Sequence, residues 1–83
     1  MEQDWNTRTT KRVGGAIAEA RKRRGLTAQG LADATRAAGY AIDRSVIAKI
    51  EKGLRQSISV AELVVIARAL GVPPVLLLYP LGE

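Results

Sequence analysis

The chain of 83 residues contains no cysteine, which excludes disulfides and thiolate-bound zinc. It contains no histidine either, so the commonest general base and the commonest metal ligand are both missing. Its carboxylates are not clustered, which leaves few acid–base or metal-binding options. The expectation is a protein that is not an enzyme, with no catalytic residues, no metal and no cofactor. Phenylalanine is absent, and one Trp and two Tyr are the only aromatic residues. The core must therefore be built from Leu, Ile, Val and Ala, with helices approaching closely. Long hydrophobic runs are missing as well. The longest, Val75 to Tyr79, falls far short of the roughly 20 residues a membrane span needs. Met1 to Thr10 are polar and carry no apolar signal-peptide core. A cytoplasmic location and no membrane partner are expected.

Positive charge is in excess. Lys and Arg number 13 against 8 Asp and Glu, a net charge of +5. On a small domain this points to a polyanion, either nucleic acid or an anionic membrane. Membrane-surface binding needs a basic amphipathic helix. Here the first helical segment gathers its charge at one end, Arg21 to Arg24, rather than along a face. The length corresponds to one domain, which buries only about 60% of its unfolded surface and has a thin stability margin.

Helical spacing organises the rest. Met1 to Arg8 have no helical period and read as an arm. Thr9 or Thr10 can cap a first helix, whose stripe is Val13, Ile17 and Ala20 and whose end is Arg24-Gly25. Thr27 caps a second helix with Leu31, Ala34 and Thr35 inward and Ala32 beside them, stopped by Gly39. Asp43 is the expected cap of a third, with Ile47, Ile50 and Leu54 inward and Gly53 closing it. Ser59 and Glu62 fit a capping box opening a fourth helix, with Leu63, Ile66, Ala67 and Leu70 inward, ended by Gly71. Pro73 or Pro74 begins a short last helix. There is no strand signal, internal repeat or linker, so the expected fold class is all-α, five helices with short connections.

Taken in order, Arg21, Gly25-Leu26-Thr27, Leu31-Ala32, Ile47, Ile50-Glu51-Lys52-Gly53 and Ala67 to Val72 resemble the Cro/CI-type (XRE, lambda-repressor-like) helix-turn-helix DNA-binding family. The resemblance covers roughly Val13 to Leu78. Ile42 to Gly53 is similar to long-turn, actinobacterial-looking members. Leu31 to Asp43 is longer than the family's usual spacing, whose turn has about 3–4 residues. Ala28 stands where the family usually has Gln, and Gln29 is the nearest substitute. With the arm read from the missing helical period, the expected division is a flexible arm, residues 1–9, and a helix-turn-helix DNA-binding domain, residues 10–80.

The resemblance also implies that the third helix enters the major groove and that Arg44, Ser45, Val46 and Lys49 read bases. Arg44 suits guanine O6 and N7, the alternative being a solvated side chain. Ser45 is equally a base or phosphate donor and a good first-turn residue. Val46 either meets a thymine methyl or is partly buried. Lys49, one turn beyond Ser45, reaches bases or phosphates, or is solvated. Phosphates are assigned to Thr27, Gln29, Lys52, Arg55, Gln56 and Ser57, the first two at a helix N-terminus that favours anions. Arg8, Lys11 and Arg12 are further candidates for the DNA backbone, with disorder the stronger expectation for Arg8. Arg36 and Tyr40 are candidates in the long turn, where Tyr40 is more simply a cover. Arg21 and Glu51 match positions of a structural ion pair joining the first and third helices. Val75, Leu76, Leu78 and Tyr79 are apolar beyond what one short helix can bury, which suggests a homodimer interface or merely a cap on a small core. Trp5 is expected to fold back onto the domain, with no assigned role.

The expected function is sequence-specific regulation of transcription, as a repressor, by a homodimer on double-stranded DNA. The competing reading is an antitoxin or anti-repressor that uses the same fold to bind a protein partner.

Overall fold

The computed structural model describes residues 5–78, and these form five helices. Helix α1 spans Trp5–Arg23, α2 Ala28–Ala37, α3 Arg44–Glu51, α4 Val60–Leu70 and α5 Val75–Leu78. No strand occurs among the described residues.

Helix α1 starts at Trp5, not at Thr9 or Thr10, so the expected arm is helical from residue 5 onward. The reason lies at Thr10, which is buried inside the helix rather than capping it. Its hydroxyl donates to the Gln56 carbonyl at 3.3 Å, anchoring this end of α1 to the loop before α4. Trp5 is 79% exposed and does not fold back onto the domain.

Val13, Ile17, Leu31, Ile47, Ile50, Ile66, Leu70 and Leu77 are fully or almost fully buried and form the centre of one core. Small residues let the helices close on it. Gly14 faces the backbone of α3, and a Cβ there would overlap the Ile50 carbonyl oxygen. Leu54 departs from the expected inward stripe and is 69% exposed. Gly53 has a φ of 74°, which ends the helical period one residue earlier and turns Leu54 outward. Val65 joins the core although the expected face of α4 omits it.

The caps divide. Thr27 accepts from the Gly30 amide at 2.9 Å. Ser59 and Glu62 close a reciprocal capping box, with bonds of 3.0 and 2.9 Å. Asp43 occupies the cap position of α3, but its side chain makes no capping bond. At the far end of α4, the Arg24 guanidinium donates to the Leu70 carbonyl.

The long connection between α2 and α3 is organised by a buried hydroxyl. Thr35 is fully buried, donates to the Ala32 carbonyl at 2.7 Å and accepts the Ile42 amide at 2.9 Å. Ile42 is thereby drawn into the core at 5% exposure, which sets where α3 begins. Tyr40 is 48% exposed and covers the turn only in part.

Candidate nucleic-acid interface

Helix α3 has two faces. Ile47 and Ile50 are buried, Val46 and Ala48 are half-buried, and Arg44, Ser45 and Lys49 are exposed. Among the described residues, Arg44 and Lys49 have no ion pair and no side-chain hydrogen bond. The only acid on α3 is Glu51 at its C-terminal end, and that charge is neutralised from α1. Arg21 Nε and Nη2 hold its two carboxylate oxygens at 2.8 and 3.0 Å. A third donor of the same guanidinium, Nη1, reaches the Leu26 carbonyl at 2.9 Å. The two side chains are only 15% and 10% exposed. The hydrogen bonds that Arg21 donates to Glu51 raise its pKa, against burial, which lowers it; the guanidinium stays charged. One side chain thus ties α1, the start of the α2 segment and the end of α3 together.

The N-terminus of α2 lies ahead of α3 in the chain and opens onto solvent. Thr27 and Gln29 are exposed and Ala28 is half-buried. The Thr27 hydroxyl is engaged with the Gly30 amide, while the Ala28 and Gln29 amides fall in the first turn, where a helix supplies no acceptor. The Gln29 amide group donates to Asp33 at 2.9 Å.

In the loop after α3, Lys52, Gln56 and Ser57 are exposed. Arg55, expected at a phosphate, instead turns its guanidinium to Glu62 at 3.0 and 3.2 Å. Burial would raise the Glu62 pKa, but the Ser59 amide and Arg55 outweigh it, so the carboxyl titrates below its ordinary value. The capping box is the signal that foretells this, because it folds the Glu62 side chain back toward the loop. The Gln56 carbonyl is taken by Thr10.

The first half of α1 also meets this loop, a link that helical spacing alone does not reveal. Thr10 binds Gln56, Lys11 lies over Gly53, and Gly14 abuts Ile50. Arg8 and Arg12 are exposed on the same helix. In the long turn Arg36 is exposed and lies 3.7 Å from Asp33.

On α5, Leu77 is buried at 2%, whereas Val75, Leu76 and Leu78 are 52%, 40% and 36% exposed. Tyr79 lies outside the described residues.

Among the described residues no group of acidic side chains could hold a metal ion. Nor is any described helix long and apolar enough to cross a membrane. A family model described as helix-turn-helix matches residues 17–77, well over half of the chain. No curated protein and no solved structure gives a significant match.

Proposed function

The chain belongs to the XRE/Cro/CI-type helix-turn-helix family, a family of DNA-binding domains rather than of enzymes, and on that premise we propose that it is a sequence-specific repressor of transcription. Its α3 enters the major groove of duplex DNA. Arg44, Ser45 and Lys49 read base edges there, with Val46 against a thymine methyl.

The observation that carries this reading is the sorting of charge on α3. Its cations face solvent without partners among the described residues, while its single acid is paired inward with Arg21. Neutralising Glu51 removes a repulsion that would otherwise face the DNA phosphates. Those phosphates are held by Thr27 and Gln29 at the α2 N-terminus and by Lys52, Gln56 and Ser57 in the following loop. Arg55 contributes order to that loop through Glu62 rather than free charge. Val75, Leu76 and Leu78 support a homodimer, because three exposed apolar side chains on one turn of helix gain from mutual burial. The dimer places two α3 helices about 34–36 Å apart on a pseudo-palindromic site. The protein is a cytoplasmic one in this reading.

The test is selection of bound duplexes from a random pool at near-physiological salt. Enrichment of a two-fold-symmetric consensus is expected. Purely general, salt-sensitive binding would overturn the operator reading and point to a protein partner.

A further inference from the structure

We propose that Lys11, on α1, is a phosphate-binding residue of the DNA interface, held in position by a notch at Gly53. The proposal rests on the DNA-binding reading above and extends that surface to an element outside the helix-turn-helix.

Helix α1 runs past the C-terminal end of α3. There Thr10 is tethered to the Gln56 carbonyl, which fixes the register of α1 against the loop. The next residue, Lys11, lays its stem over Gly53. A Cβ at position 53 would lie 2.8 Å from Lys11 Cγ, 3.3 Å from Cδ and 3.4 Å from Cε. Three methylenes therefore follow a track that exists only because residue 53 has no side chain. Gly53 also has a φ of 74°, so the turn that ends α3 and the track that seats Lys11 depend on the same glycine.

The stem is held, yet the residue is exposed, and among the described residues its ammonium has no ion pair or hydrogen bond. Lys52, next to Gly53, is likewise exposed and without a partner among the described residues. Two cations from different elements are thus brought to one turn, and among the described residues no acid pairs with either. Like charges on adjoining backbone repel, and that repulsion is relieved by an anion bound beside them. At the end of a recognition helix, that anion is a DNA phosphate. A stem already packed on Gly53 also loses less rotamer freedom on binding than a free surface lysine.

Phosphate contacts add affinity but no sequence information. Binding of the intact chain to a fluorescein-labelled mixed-sequence duplex would be followed across salt from about 50 to about 200 mM, a range in which such contacts are lost. Lys11→Met keeps the packed stem and removes the charge, so its thermal melt should match wild type. The slope of log affinity against log salt should shrink by about 0.9, the value of one phosphate contact. The weakening should be the same factor on any duplex, and Lys11→Arg should restore the slope. An unchanged slope in Lys11→Met would overturn this inference alone and leave the DNA-binding reading standing. A loss confined to particular base pairs would also overturn the phosphate role. Failure of the wild type to bind any duplex would overturn both.

Discussion

Removing Glu51 should cost much of this domain's margin of stability, because among the described residues its carboxylate is the only charged partner of a guanidinium the fold has largely taken out of water. Arg21 spends two donors on Glu51 and one on the Leu26 carbonyl, and only 15% of its side chain is exposed. Breaking a buried pair by deleting one member costs about 3–5 kcal/mol. Arg21 keeps a path to solvent and retains its bond to Leu26, so about 2–4 kcal/mol is the better expectation for Glu51→Ala. At roughly 4–8 °C per kcal/mol for a domain of this size, the melting temperature should fall by about 8–32 °C. Replacing both members with methionine removes the stranded charge and fills the space, so the double variant should be more stable than Glu51→Ala. Thermal melts followed by circular dichroism on wild type, Arg21→Met, Glu51→Met and the double methionine variant measure the coupling. A melting temperature within about 2 °C of wild type in Glu51→Ala, or strict additivity in the cycle, would show that Arg21 and Glu51 are not energetically coupled.

Three other perturbations separate the devices that position α3. Gly14→Ala pushes a methyl into the Ile50 carbonyl and should cost at least about 1–3 kcal/mol by equilibrium unfolding, whereas Gly15→Ala, which meets nothing, should be neutral or stabilising. Thr35→Val leaves the buried Ile42 amide without its acceptor, at about 1–3 kcal/mol, and Thr35→Ser should recover most of it in the same melts. Glu62 has a folded-state pKa below its unfolded value, so its stabilisation is complete above the unfolded value and is lost as pH falls through the folded one. Acid melts should therefore show a fall in stability below about pH 5 that is shallower in Glu62→Gln; parallel curves would refute the assignment.

Much of this architecture was legible in the residues themselves. The Ser59–Glu62 box, the Thr27 cap and the Ile47–Ile50 spacing rest on local chemistry, which tertiary packing here reinforces. What escaped rests on contacts between distant segments. The early start of α1 depends on Thr10 reaching Gln56, across 46 positions of chain, and the polar residues before it carry no stripe that would announce a helix. Leu54 continues the spacing of α3 in sequence but lies beyond the left-handed Gly53, so the period no longer applies to it. Arg55 reads as one more loop cation until the Glu62 carboxylate is seen folded back to meet it. The long turn reads as surplus alanine, and its order comes from one hydroxyl, Thr35, which looks from sequence like an ordinary inward-facing residue. The exposed face of α3, by contrast, follows from the positions of its isoleucines: once Ile47 and Ile50 face inward, Arg44, Ser45 and Lys49 face out.

Whether α3 reads bases is decided at Arg44, the exposed cation in its first turn. Duplexes would be selected from a random pool by wild type and by Arg44→Ala in parallel, with both proteins checked for equal thermal stability. A symmetric consensus is expected for the wild type. In the variant, preference for guanine should vanish at one position of each half-site, with the flanking positions retained. An identical consensus from both proteins, or a uniform loss of affinity with no change at any base, would contradict base reading by α3.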